Sequence, residues 1–255
     1  NKVEEQVMGV NLETKVKDIS IGLTSAKYDY TPALKKAYRP YQYHDFTGNK
    51  LNNTGAYYHG LLGKLYVFGE TAINGFQAST LSSLNGFILP LSNYIELAAI
   101  YRYYSPEYNG IYYGPFREQS RAKNEMGLYT GVNVKFRDDL NLKLYLVRFR
   151  FPWLRFQTDQ PSRGLEYLAE LQYRPSRKFE MYGRIKSQIK EQNLPGNENT
   201  LNQRTDHNNT HYLFQFRYKI NSTLTTTSRV KYASFKLIDS TSATGVLLFQ
   251  DLAFK

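Results

Sequence analysis

Residues 165–174, Leu165-Glu166-Tyr167-Leu168-Ala169-Glu170-Leu171-Gln172-Tyr173-Arg174, decide the fold class. Leu165, Tyr167, Ala169, Leu171 and Tyr173 fall on one side, and Glu166, Leu168, Glu170, Gln172 and Arg174 on the other. Successive side chains of a pleated strand point to opposite faces, so this period of two defines a strand with one apolar and one charged face. The pattern recurs along the chain. Phe179, Met181, Gly183, Ile185 and Ile189 alternate with Glu180, Tyr182, Arg184, Lys186 and Lys190. Tyr212, Phe214, Phe216, Tyr218 and Ile220 alternate with His211, Leu213, Gln215, Arg217 and Lys219, and Met126, Leu128, Val132 and Val134 with Glu125, Tyr129, Asn133 and Lys135. Helical spacing is almost absent. The chain reads as all-β.

The runs are long, about 11–16 residues against the ~5–6 usual in soluble sheets, whereas a tilted strand crosses a bilayer in about 9–11. Short connections at Lys17-Asp18, Ser92-Asn93-Tyr94, Arg137-Asp138-Asp139, Pro175-Ser176-Arg177 and Asn221-Ser222-Thr223 keep the same face on both flanks. They alternate with long polar segments, 29–55, 105–123 and 191–207, and shorter ones near 157–163 and 238–243, rich in Asn, Gly, Pro, Ser and Tyr. Short turns on one side and long loops on the other are the signature of an antiparallel transmembrane β-barrel of the outer-membrane type, with about 11–13 strands in one domain spanning the chain. Strand parity is unsettled between residues 70 and 91.

Composition agrees. The 255 residues carry a net charge of +11, no cysteine, one tryptophan, 23 tyrosines and 15 phenylalanines. A disulfide framework and a thiolate metal cluster are excluded. With a mean hydropathy of −0.55 there is no apolar run long enough for a transmembrane helix, but a barrel strand meets lipid with only half its residues. Tyr101, Tyr103, Tyr104, Phe149, Phe151 and Trp153 gather near strand ends, as interfacial girdles do. A basic-plus-apolar leader is absent, so any secretory signal would be already removed or outside this segment. In the strand from Leu140 the apolar parity changes between Leu146 and Val147, which predicts a β-bulge there that aims Arg148 and Arg150 inward.

Six strings occur in order: Phe68-Gly69-Glu70, Leu84-Asn85-Gly86, Tyr101-Arg102-Tyr103-Tyr104-Ser105-Pro106-Glu107-Tyr108, Asn124-Glu125-Met126-Gly127-Leu128-Tyr129, Phe151-Pro152-Trp153-Leu154-Arg155 and Tyr173-Arg174-Pro175-Ser176. Together they resemble the barrel part of Bacteroidetes-type helix-hairpin-helix domain-containing, competence-like proteins, from about residue 60 onward. The resemblance implies an outer-membrane barrel of which this chain is a piece, its wall completed by further strands or by a partner. Paired short helices around a Gly-rich hairpin are absent from the sequence, so the family's DNA-binding role is carried onto no residue.

No nucleophile–base motif, phosphate-binding loop or zinc-protease motif occurs, and the chain is expected to be neither an enzyme nor a cofactor or metal binder. His207 and His211 sit four residues apart, about 13 Å along a strand at ~3.3 Å per residue, too far to share a metal. The charged face is the one candidate site. It is expected to hold Arg102, Lys135, Arg148, Arg150, Glu166, Glu170, Arg174, Glu180, Arg184, Lys186, Arg217, Lys219, Arg229 and Lys231 facing an enclosed interior, as structural bracing or as a path for anionic solutes. Pairing through Pro175-Ser176-Arg177 places Glu166 opposite Lys186 and Glu170 diagonal to Arg184. The expected partners are outer-membrane lipid and other outer-membrane or periplasmic proteins; basic residues spread along strands speak against nucleic acid. The expected role is a non-enzymatic channel, translocation or scaffold component of the cell outer membrane. The alternatives are the membrane anchor of a DNA-uptake or surface complex, and a soluble β-barrel that binds carbohydrate or nucleic acid.

Overall fold

The computed structural model describes residues 2–36, 38–112, 114–194, 202–237 and 242–254. Thirteen antiparallel strands form one sheet in sequence order. They are β1 Glu4–Val16, β2 Ile19–Leu34, β3 Gly48–Leu62, β4 Leu65–Asn74, β5 Ser82–Pro90, β6 Ile95–Tyr104, β7 Glu125–Arg137, β8 Leu140–Phe151, β9 Ser162–Tyr173, β10 Phe179–Asn193, β11 Arg204–Lys219, β12 Leu224–Leu237 and β13 Ser242–Phe254. Two single 3₁₀ turns, at Pro40–Gln42 and Ala78–Thr80, are the only helical elements among the described residues. β1 pairs with β2 and β13 with β12; among the described residues β1 and β13 do not pair with each other, so the sheet is not closed.

From β1 to β12 shorter and longer connections alternate, which resolves the parity between residues 70 and 91. A strand, β3, begins at Gly48 inside the segment read as loop 29–55 and takes up its last eight residues, and a connection over 75–81 joins β4 to β5. Thr80 shapes that connection: its hydroxyl accepts the Asn74 N–H at 2.8 Å. The long loops are shorter than their polarity suggested, because β2 runs on to Leu34, β3 starts at Gly48, β10 reaches Asn193 and β11 starts at Arg204. Polar residues there are strand residues with cross-strand partners, as in Thr54 with Ser25 at 3.1 Å and Glu191 with Arg204 at 3.4 Å. Positions 195–201 and 238–241 of the expected loops lie outside the described residues.

The β9–β10 connection spans five residues, 174–178, in place of the expected three. Glu166 therefore stands opposite Gln188, Lys186 opposite Leu168, and Glu170 directly opposite Arg184. A slip of two leaves every side chain on its expected face, because the strand period is two.

The chain divides into two units. The first comprises residues 1–89, 99–128 and 149–162, and the second 90–98, 129–148 and 163–255. In the first, Glu13, Gly22, Tyr57, Glu70 and Leu84 form one row across β1–β5. The opposite face carries Val16, Ile19, Gly60, Val67 and Phe87 in one row and Leu12, Leu23 and Ala56 in another. Gly22 is required by its neighbour: a Cβ there would sit 2.2 Å from the ring of Tyr57, whose hydroxyl reaches Glu13 at 2.8 Å. In the second unit, Leu171, Gly183, Phe214, Val230 and Leu248 make an apolar row across β9–β13, beside a row of Glu170, Arg184, Leu213 and Lys231 facing the other way.

The apolar rows are exposed. Leu12 is 67% accessible, Leu23 57% and Leu248 73%, and none of the described residues forms a second layer over them. The buried apolar cluster of the first unit lies on the polar face instead. Tyr28, Tyr30 and Leu51 pack there against Ala26, Leu34, Phe46 and Ile111, the last two contributed by loops 35–47 and 105–124.

Candidate functional site

In the first unit, loops 35–47, 105–124 and 152–161 are cross-tied above the polar face. The deepest tie is ionic. Arg102 on β6 and Glu125 at the start of β7 are both fully buried, with Nε donating to Oε1 at 2.6 Å. Arg102 Nη2 also reaches Glu118 at 3.3 Å, and its guanidinium lies over the Phe116 ring at 4.6 Å. The Glu118 N–H donates to both carboxylate oxygens of Glu125, each at 3.0 Å. A buried charge is tolerated only when paired and hydrogen-bonded, so this cluster pins the middle of loop 105–124 to the sheet. Tyr104 adds a second pin by donating to the Phe116 carbonyl at 2.8 Å.

Lys123 and two asparagines tie the loops to one another. Lys123 Nζ donates to the His44 carbonyl at 3.0 Å, to Asp45 at 2.8 Å and to Asn109 Oδ1 at 3.1 Å. Asn109 accepts the Phe46 N–H at 3.1 Å, and its own N–H donates to Asn74 at the end of β4 at 2.7 Å. Asn124, in the left-handed region at φ 54°, clamps the third loop: it accepts the Trp153 N–H at 2.6 Å and donates to the Trp153 and Leu154 carbonyls at 3.0 and 3.1 Å. Trp153 Nε1 then donates to the Pro40 carbonyl at 3.2 Å. Burial pushes the His44 imidazole below its ordinary value, against the opposing pull of Glu107, and burial lowers Lys123 against its bond to Asp45. These ties enclose a cavity of about 250 Å³ bordered by all three loops.

The second unit carries most of the remaining expected charges on one face. Glu166, nearly buried, accepts from Tyr145 at 2.7 Å, Gln188 at 2.9 Å and Lys186 at 3.0 Å. Glu170 accepts from Tyr182 at 2.8 Å, with Lys143 at 3.6 Å. Glu180 takes Gln172 at 2.7 Å and Arg174 at 2.9 Å. Arg229 donates to Gln215 at 2.8 Å. Arg217, Lys219 and Lys231 have no carboxylate within 4.0 Å among the described residues, so this face keeps a surplus of cations. Arg174, Arg177, Lys178, Arg217 and Lys219 border one open cleft of about 380 Å³ in which Glu180 is the only carboxylate. A larger hollow, about 420 Å³, lies in the apolar surface over Gly183.

The structure thus brings together Glu166 with Lys186, Glu170 with Arg184, and Glu180 with Arg174, and it gives Arg102 the partners Glu118 and Glu125. Lys135 is exposed on β7, on the same side of that strand as Glu125. Arg148 and Arg150 depart from expectation. Burial alternates unbroken along the end of β8, with Val147, Phe149 and Phe151 covered and both arginines exposed. Arg150 rests on the sulfur of Met126, on the opposite side of β7 from Glu125. There is no inward turn of these arginines at 146–147, because the apolar residues beyond it are the ones that are covered. An apolar side chain under a folded-in loop and one facing hydrocarbon look alike in sequence.

His207 and His211 lie on the charged face of β11, His207 with its ring 4.2 Å from that of Phe235. Among the described residues no group of three or more His, Cys, Asp or Glu is placed to hold a metal ion, and no helix is long and apolar enough to cross a membrane. The loop ties through Asp45, Asn109, Glu118, Lys123, Asn124 and Trp153 were not foreseen; the single tryptophan beside Pro152 was the one available signal. No family model matches the chain, and no curated protein matches it.

Proposed function

We propose that this sheet is wall of a β-barrel in a bacterial outer membrane, with a non-enzymatic channel, translocation or scaffold role. The reading rests on one observation: in each unit apolar side chains cross the sheet in the open, Leu12 and Leu23 among them in the first and Leu171, Phe214, Val230 and Leu248 in the second, while the opposite face holds the Arg102–Glu125, Glu166–Lys186 and Glu180–Arg174 ion pairs and, in the first unit, the loops. A soluble sandwich or barrel buries its apolar face and turns the charged one outward, and soluble monomers seldom expose contiguous apolar patches beyond a few hundred Å². Hydrocarbon is the solvent that matches this arrangement. In that setting the edges of β1 and β13 need hydrogen-bonding partners, because lipid supplies none.

Within this reading, the polar face is better suited to bracing than to an unobstructed bore. Glu125, Glu166 and Glu180 are each held by two or more donors, and loop 105–124 is pinned across this face in the first unit. The unpaired Arg217, Lys219 and Lys231 favour anions in whatever passage remains. The resemblance to the barrel part of competence-like proteins supports the same assignment. Flotation of the refolded protein with lipid vesicles tests it: resistance to alkaline extraction is expected, and recovery as a detergent-free soluble monomer would overturn it. Planar-bilayer recordings separate the roles, with small, anion-leaning conductance expected for a braced interior.

A further inference from the structure

The cavity enclosed by the three loops of the first unit has a lining that ordinary packing does not explain. Tyr41 and Phe156 meet edge-on at 5.9 Å, and Phe156 is left 63% exposed. Trp153 lies beside them, edge-on to His44 at 4.8 Å. Between these rings the lining is polar. Gln42 borders the cavity, and its Oε1 is buried with no donor. Arg121 is two-thirds exposed and engages Asp45 through Nη1 at 3.2 Å. Two cations, Arg121 and Lys123, share the one carboxylate that borders the cavity, Asp45, and Arg155, whose Nε donates to Ser162 at 3.0 Å, borders it too.

We infer that this cavity binds one residue of an acidic saccharide, a sugar bearing both hydroxyls and a carboxylate. Each part of the lining calls for a part of that ligand. The cation excess calls for an anion. The Gln42 Oε1 is shut off from the open cavity and has no donor, so rotation of its amide toward a ligand hydroxyl would relieve a desolvation cost that an all-acceptor anion such as phosphate cannot. Aromatic faces carry negative charge at their π surface and attract the polarised C–H groups of a pyranose ring. Tyr41 and Phe156 stand at 71° to one another, which forms a corner and not the parallel slot that would grip a flat base from both sides. The volume, about 250 Å³, falls below the ~300–1,000 Å³ of drug-sized sites and suits a single sugar unit. The site is preorganised, since Asn124, Lys123 and the Trp153 indole hold its three walls without a ligand. It does not rest on the membrane reading, because every group named lies in the loops.

Trp153 is the only tryptophan in the chain, so its emission reports on this cavity alone. The test is a fluorescence titration of the whole protein in detergent with 3′-sialyllactose and trigalacturonate, with lactose and sodium phosphate as controls. A saturable change with both or either acidic saccharide is expected, at least about tenfold tighter than with lactose, the worth of one charge-assisted hydrogen bond. Arg121→Gln should bring acidic and neutral sugars together, and Gln42→Leu should weaken both. The inference is overturned by no response to either acidic saccharide, by equal affinity for lactose, by phosphate competing as well as the sugars, or by Arg121→Gln and Gln42→Leu both binding as the parent does.

Discussion

Replacing Arg102 with methionine should release loop 105–124 while leaving the strands intact. Arg102 and Glu125 are both 0% exposed and 2.6 Å apart, and Glu118 has only 9% of its side chain accessible. Methionine keeps much of the volume and the contact with Phe116, so the loss is electrostatic. Glu125 would retain the Glu118 N–H, but both carboxylates would lose the buried cation that they share. Removing one partner of a buried pair costs about 3–5 kcal/mol, chiefly through the charge left behind. The loop either lifts to hydrate the carboxylates or one of them protonates; both loosen the docked state. If only 3 kcal/mol of that falls on loop docking, the undocked population rises roughly 10²-fold at 1.4 kcal/mol per decade. Arg117, Arg121 and Lys123 place trypsin sites inside the loop, and cleavage tracks the open population when closing is fast. Mass spectrometry of limited digests should therefore show cutting after Arg117 or Arg121 accelerated by about two decades. The double variant Arg102→Met/Glu125→Leu should recover much of the protection. Cleavage of Arg102→Met at the parental rate would refute the reasoning.

Leu171→Arg places a cation mid-strand on the apolar face and should impair assembly into vesicles by about 2–4 kcal/mol, read by heat-modifiable gel mobility; normal mobility would count against the face assignment. Glu166→Ala and Lys186→Ala should be non-additive in a double-mutant cycle of denaturant stability by about 0.5 kcal/mol or more, since their 3.0 Å contact survives the shifted register. The docked loop holds His44 below its ordinary value of 6.5, so the undocked loop binds more protons between the two values: docking is fully stable above about 6.5 and weakens as pH falls through that window. Trp153 emission, quenched by the adjacent imidazolium, should titrate with a midpoint below 6.5, move lower in Glu107→Gln and vanish in His44→Gln. Gly22→Val should strip Tyr57 from Glu13, because its Cβ occupies the ring's place, and lower stability by about 1–3 kcal/mol in denaturant melts.

Strand identity and facing were legible because a period of two survives any even error in register. Glu166 and Glu170 were placed on the correct face although the β9–β10 connection is two residues longer than expected, and the Glu166–Lys186 contact forms diagonally. Strand ends were less legible. Asn52, Asn53 and Thr54 have loop composition, yet they are paired strand residues whose partners, Ser25 and Asn74, lie far along the chain. The parity change at Leu146–Val147 misled for a related reason: Val147, Phe149 and Phe151 are apolar because they are covered, and covering them is a tertiary event. The loop ties were least legible. Lys123, Asn109 and Asn124 act through backbone carbonyls and amides of distant loops, which no local pattern encodes.

The central claim is that hydrocarbon contacts the apolar face. The chain has no cysteine, so single cysteines at Ala169, Glu170, Leu171 and Gln172 can carry a nitroxide label without background. In lipid vesicles, collision with dissolved oxygen should dominate at 169 and 171 and collision with a water-soluble nickel chelate at 170 and 172, a clean period of two. Equal access of the nickel chelate to all four positions, or the opposite phase, would contradict the account.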